Sequence, residues 1–162
     1  MAEPQTGWAS LIRRATQRLW HMGFLLTRPM TLGVRVVAIK GEDEIFLIRH
    51  SYVPGWHLPG GGVDPGETCL AAMARELAEE TPLRATGPAH LHGIFFNSSA
   101  SRRDHVAVYI VRDFTIGPPR PADYEISEGG FFNRAALPED VSAGTRRRLA
   151  EIFDHSPLND HW

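Results

Sequence analysis

Glu76, Glu79 and Glu80 stand at i, i+3 and i+4 in a stretch with helical spacing, shortly after the tetrapeptide Pro59-Gly60-Gly61-Gly62. No other feature constrains the fold as tightly. Residues three and four apart meet on one side of a helix, so these carboxylates are forced together and repel one another. Leu70, Met73, Ala74 and Leu77 mark an apolar stripe in the same segment. The pattern predicts a helix over 68–80 that ends before Pro82, with Leu70, Ala74 and Leu77 packed and the acidic side turned into a cleft. A hard divalent cation, magnesium or manganese, would neutralise such a face through all-oxygen ligation. The glycines let the backbone approach a ligand and present its carbonyls and amides, and Glu67-Thr68 sits where the helix begins. Taken alone the glutamates also fit a solvated acidic face; the preceding glycine loop favours a site for metal and phosphate.

Around this segment the pattern is mixed. The β-branched run Val34, Val36, Val37 and Ile39 predicts a strand over 30–40, and 44–49 predicts a second, joined by the turn Gly41-Glu42-Asp43. Further strands are expected at about 89–97, 104–114 and 130–133, with a closing helix over 142–154. Ahead of them, Trp8, Leu11, Ile12, Ala15 and Leu19 recur at helical spacing among arginines, which predicts an amphipathic helix over 8–22. It is read as packing on the domain or on a second subunit, with an interfacial membrane helix as the alternative.

At 162 residues with 43% hydrophobic content, the chain has material for one core and not for two full domains. Its 17 basic and 19 acidic residues give a net charge of −2, without the basic excess of a dedicated nucleic-acid binder. The single cysteine, Cys69, excludes an internal disulfide or a cysteine-built zinc site, so a reducing, cytoplasmic compartment is expected. No apolar run approaches the roughly 18 residues of a membrane span, and the N-terminus does not read as a signal peptide.

From Gly61 through Glu67 the sequence runs to Arg75-Glu76-Leu77-Ala78-Glu79-Glu80-Thr81-Pro82-Leu83. This resembles the box of the Nudix hydrolase family: Gly, five residues, Glu, seven residues, Arg-Glu-apolar-any-Glu-Glu-any-Gly-apolar. A chance match at the specified positions has a probability on the order of one in a hundred thousand from average residue usage. One position departs from it. Pro82 takes the place of the last glycine, and proline can neither adopt positive φ nor donate its amide, so the helix exit must differ.

The resemblance implies an α/β chain of α+β type, an α/β/α sandwich around a mixed sheet over 29–162, with 1–28 as a helical extension. It also implies hydrolysis of a diphosphate linkage in a nucleoside diphosphate joined to another group X, with Mg2+ or Mn2+ as cofactor. Carried over by position, Glu76, Glu79, Glu80 and the Gly60 carbonyl would hold metal. Arg75 and Glu67 would be a supporting pair keeping the glycine loop in register. The general base would be Glu79 or Glu76 in the box, or Glu125 or Glu128 on a later segment.

For substrate contacts the residues offer Arg49 and Arg102 to phosphate, Tyr52 and Phe96 as stacking surfaces, and the backbone of Gly61 and Gly62. The expected partner is a nucleotide-type small molecule, with no stable nucleic-acid partner and with the N-terminal helix offering a homodimer contact. A non-catalytic nucleotide-binding or sensor module on the same fold is the alternative, and it predicts a damaged box.

Overall fold

A computed structural model describes residues 30–162. The predicted amphipathic helix over 8–22 lies outside the described residues. A central strand, β1 (Thr31–Lys40), is buried on both faces: Val34, Val36 and Ala38 enter one core, Val37 and Ile39 the other, as the two-residue period of a strand requires. Its neighbours are β5 (Asp104–Val111), parallel to it, and β2 (Glu44–His50), antiparallel. Outside them lie β4 (Ala89–Phe96) and β7 (Ile126–Asn133), giving a mixed sheet of order β4-β5-β1-β2-β7. Helix α1 (Cys69–Glu80) packs Ala72, Met73 and Leu77 on one face, and α2 (Ala143–Phe153) packs Leu149 on the other. The expected sandwich is thus formed. No helix among the described residues is long and apolar enough to cross a membrane.

One irregularity of the sheet positions the site. Strands β1 and β2 pair only at Ile39–Ile45 and Lys40–Glu44, beside the turn that Gly41 makes at φ 62°. Beyond those pairs they part, and the glycine segment fills the gap. His57 exchanges backbone bonds with Ile48 on the β2 side. On the β1 side, Val36 and Val34 donate to the Pro59 and Gly61 carbonyls at 2.8 Å, and Val63 donates to Leu32. The loop is therefore part of the sheet, fixed by its own main chain.

Several elements differ from the expectations. The strand expected over 104–114 stops at Val111, and Phe114–Ile116 forms β6, paired with β3 (Leu83–Ala85) in a separate two-stranded sheet. The break is local: the Asp113 carbonyl turns to accept the Thr86 and Gly87 amides, closing a corner that a continuous strand could not make. Strand β7 begins at Ile126 and not near residue 130, because its pairing with β2 continues through Ile48–Gly129 and Arg49–Glu128 to His50–Ile126; the Phe46 ring lies against Gly129, where an added Cβ would meet it at 3.2 Å. Glu128 is thereby a strand residue opposite Arg49, not part of a loop.

The packed face of α1 is also not the one expected. Leu70 is 52% exposed and Ala74 is exposed, while Glu80 is only 5% exposed beside Met73 and Leu77. Periodicity alone opposed the acids to the apolar stripe; in the fold the glycine loop covers the last turn, so Glu76 and Glu80 belong to the covered arc. At its start the helix is capped by Thr68, whose hydroxyl accepts the Ala71 amide at 3.1 Å.

Its exit answers the question raised by Pro82. Thr81 leaves the helix in an extended conformation, φ −135° and ψ 164°, the region that a residue before proline prefers. The turn needs no left-handed residue. The buried Thr81 hydroxyl donates to the Leu77 carbonyl and accepts the Leu83 amide at 3.0 Å. Thr81→Val keeps the shape and leaves the Leu83 amide without that acceptor, so a loss of about 1–3 kcal/mol in urea unfolding is expected. An unchanged midpoint would show that the exit does not rely on the hydroxyl.

Candidate active site

Arg75 is the hub of the box. Its Nε and Nη2 grip the Glu67 carboxylate bidentately at 3.0 and 2.9 Å, and Nη2 also donates to the Gly62 carbonyl at 3.0 Å. From the same guanidinium, Nη1 reaches Glu76 at 2.6 Å and Glu79 at 3.2 Å. One planar fork therefore ties the helix start, the glycine loop and two acidic residues together, which an ammonium could not do. The bonds to Glu67 and then Glu76 hold Arg75 firmly charged, well above its usual range. Glu67, pinned by Arg75 and by the Asp64 amide, is held below the usual carboxylate range.

One glycine is sterically required by the backbone around it, and a second lies against a site carboxylate. Gly60, at φ 139°, lies so close to β1 that a Cβ would sit 2.1 Å from the Val34 carbonyl oxygen. At Gly61 a Cβ would fall 2.4 Å from Glu76 Oε1. These contacts bring the loop amides to the carboxylates: the Gly60 N–H donates to Glu80 Oε2 at 2.5 Å. Among the described backbone bonds the Pro59 and Gly61 carbonyls are taken by β1 and the Gly60 carbonyl by none.

Glu80 is the most perturbed carboxylate of the group. Burial pushes it up to about 7, opposed by the Gly60 amide and by Arg35. Glu76 is also raised, again by burial first, with Arg75 pulling it down. Buried carboxylates held above their ordinary range are common where a fold brings like charges together for chemistry. Their donor set, carboxylates with a free backbone carbonyl beside them, suits a hard divalent cation, which would relieve this cost. Among the described residues no three His, Cys, Asp or Glu side chains converge on one point, and Arg75 engages Glu76 and Glu79.

Around Glu80 the fold gathers groups from other strands. His50, at the end of β2, lies with Nε2 4.0 Å from Glu80 Oε1; burial, then Arg35, pushes its imidazole down. The Tyr52 ring lies 5.2 Å from the His50 ring at a 37° tilt, and its hydroxyl is pushed up by burial, then by Glu125 and Glu80. The Ser51 amide donates to the Glu125 carbonyl at 2.9 Å, which latches this end of β2 to the segment carrying Glu125. Tyr52 and Glu125 are thus brought within electrostatic reach of the box.

The remaining sequence candidates sit elsewhere. Arg49 is paired with Asp140 at 2.9 Å and Glu128 at 3.9 Å and lies over the Trp56 ring. Phe96, on edge strand β4, packs against His105 and His161, and Arg102 is exposed in the β4–β5 turn. Sequence reasoning missed Arg35, whose charge is felt by Glu80, Glu76, Tyr52 and His50. Its signal was present: an arginine set into the otherwise apolar, β-branched run of a central strand.

With this geometry in view, comparison with known proteins gives the class. The NUDIX domain family matches residues 29–152, and the chain belongs to that family. An RNA pyrophosphohydrolase of Legionella pneumophila (strain Corby) is 42% identical over 52 residues, 32% of this chain and 30% of that protein. Among solved structures, a MutT NUDIX hydrolase from Burkholderia pseudomallei superposes with TM-score 0.65 at 26% identity, covering 75% of this chain and 97% of that one. An ADP-ribose pyrophosphatase from Streptococcus suis gives TM-score 0.62 at 25% identity over 82% of this chain and 95% of that one. The chain spans less than half the length of the curated relatives it matches.

Proposed function

We propose that the protein hydrolyses a diphosphate linkage in a nucleoside diphosphate joined to another group X, using water as nucleophile and Mg2+ or Mn2+ as cofactor. The observation that carries this reading is the box's set of carboxylates clamped by Arg75, with Glu67, Glu76, Glu79 and the Gly62 carbonyl on one guanidinium and Glu80 buried against the Gly60 amide. A sensor module has no use for the full set of box glutamates, so their presence favours the enzyme over the alternative. The family likeness adds to this: proteins similar to the chain are named for RNA, MutT-type and ADP-ribose activities. What they share is hydrolysis at a phosphoric anhydride.

Glu76, Glu79, Glu80 and the Gly60 carbonyl would hold the cation. When bound, it supplies positive charge to the phosphate oxygens and acidifies the attacking water. Arg75 orients Glu76 and Glu79 and anchors the loop through Gly62. Glu125 is favoured over Glu128 as general base: its charge acts on Glu80 and Tyr52, whereas Glu128 is exposed, on β7 and beside Arg49. In the same reading 29–162 is the catalytic domain, 1–28 an extension suited to a homodimer contact, the partner a nucleotide, and the compartment cytoplasmic.

The test is a Mg2+- and Mn2+-dependent hydrolysis screen across nucleoside triphosphates, nucleotide sugars including ADP-ribose, and dinucleoside polyphosphates, with the phosphate products resolved. Glu79→Gln should remove turnover, and Glu125→Gln should lower it about a hundredfold or more while Glu128→Gln leaves it near wild type. Turnover on no substrate, or an unaffected Glu79→Gln, would sink the hydrolase reading. Equal activity in the Glu125 and Glu128 variants would remove Glu125 as base.

A further inference from the structure

Among the described residues two cations beside the box fall outside its pattern: Arg120, whose Nε donates to the Glu79 carbonyl at 2.6 Å, and Arg35. Arg35 sits near the middle of β1, beside the point where Gly60 crosses: a Cβ on Gly60 would lie 2.9 Å from the Arg35 Cα. Its Nη1 is shut off from water and has no hydrogen-bond partner among the described residues. The carboxylates nearest in effect are Glu80 and Glu76, yet neither bonds to it. Glu80 Oε2 takes the Gly60 amide, and Glu76 Oε1 is taken by Arg75. Asp104, the other acid acting on it, accepts from Thr31 and Asn97.

Arg49, Arg120 and Arg148 also carry one such unpartnered nitrogen, but each of those guanidiniums bonds through another of its nitrogens. Arg35 makes no side-chain hydrogen bond among the described residues, and a buried donor left so calls for a cause. A counter-ion for Glu80 would form the direct bond that is missing here. A ligand oxygen supplies what the fold does not once the guanidinium turns to meet it, since Nη1 as it stands is closed to an oxygen as well as to water, and next to the box the anion at hand is phosphate. We propose that Arg35 is a substrate ligand, donating from its guanidinium to a phosphate oxygen of the diphosphate held at the carboxylate helix. The proposal rests on the hydrolase reading for the identity of the anion. It adds to the box a charged fork from a different element, β1, whose charge acts on the same carboxylates. Arginine suits the role because it stays charged when desolvated and matches the spacing of two phosphate oxygens.

The probe is methylenediphosphonate, the diphosphate unit with carbon in place of the bridging oxygen, titrated calorimetrically into the full chain with Mn2+ present. Wild type should bind it saturably. Arg35→Met should weaken binding about tenfold to a hundredfold, as expected for loss of a charge-assisted bond, and Arg35→Lys should fall between the two. Mn2+ affinity measured without the analogue should be the same in wild type and both variants. If the methionine variant does not fold, the lysine variant carries the test, since it keeps the charge and loses the fork.

Equal analogue affinity in wild type and variants, no saturable binding to wild type, or a loss fully explained by weaker Mn2+ binding would each overturn the proposal. Failure of the hydrolase reading looks different: wild type binds the analogue, the Arg35 variants lose it, and no nucleotide in the panel is turned over.

Discussion

Glu80→Gln should lower turnover about a thousandfold while making the cation-free protein more stable. The first effect follows from losing one carboxylate of the proposed cation site, since charge stabilisation of several kcal/mol at about 1.36 kcal/mol per decade is a factor of this size. The second follows from burial. Glu80 is 5% exposed and its folded-state pKa is pushed up to about 7. Below the unfolded value, near 4.5, the side chain is neutral in both states and nothing is lost. As pH rises from there to about 7 the unfolded chain releases its proton more readily, so stability falls, and above 7 the full penalty is present.

Glutamine keeps the oxygen that accepts the Gly60 amide and carries no charge. In a chelator, its advantage over wild type should therefore grow between pH 4.5 and 7, to at most about 3 kcal/mol. Adding Mn2+ should erase that advantage by stabilising wild type selectively. Thermal unfolding with and without the cation, run beside a turnover assay, checks both effects. A glutamine variant that is less stable in chelator, or fully active, would show that Glu80 is a structural acid.

How much of this was open to inspection in the sequence depends on the range of the interaction. Arg75, Glu67 and the three helix glutamates all lie on one helix and the residues just before it, so spacing alone grouped them. The central strand and its hairpin were equally local, carried by β-branched residues and the Gly41 turn. Arg35, His50 and Glu125 join the site from β1, β2 and the segment before β7. Their meeting depends on the parting of β1 and β2, which no local pattern announces. The packed face of α1 was misjudged for the same reason: whether Leu70 or Glu80 is covered is decided by where the glycine loop lies, not by the helix. Pro82 broke the family pattern without breaking the exit, because Thr81 could adopt the extended conformation that proline demands of its predecessor.

The largest stability effect should come from the other face of the sheet. Arg148 is the last of three consecutive arginines, and its side chain is fully buried, 3.7 Å from the centre of the Phe95 ring and flanked by Trp162. Glu151 answers its charge at 2.6 Å and also takes the Asn159 amide at 3.0 Å and His92 Nε2 at 2.9 Å. A further bond runs from Arg148 to the His161 carbonyl, so α2, β4 and residues 159–162 are joined through one buried pair. Glu151→Ala leaves a guanidinium out of water with its counter-charge gone and strips acceptors from two neighbours.

Breaking such a pair from one side costs about 3–5 kcal/mol, much of the 5–15 kcal/mol that holds an ordinary domain together. The melting midpoint should fall by about 10 °C or more. The double substitution Arg148→Met with Glu151→Leu removes both charges and restores apolar volume, so it should recover the part of the loss due to the unpaired charge, while Asn159 and His92 still lack their acceptor. The box lies on the opposite face, so either protein, kept below its transition, should retain wild-type turnover. A Glu151→Ala protein that melts within 2–3 °C of wild type, about 1 kcal/mol, would mean that Arg148 finds water or another acceptor and that the buried pair is not what fastens residues 159–162 to the sheet.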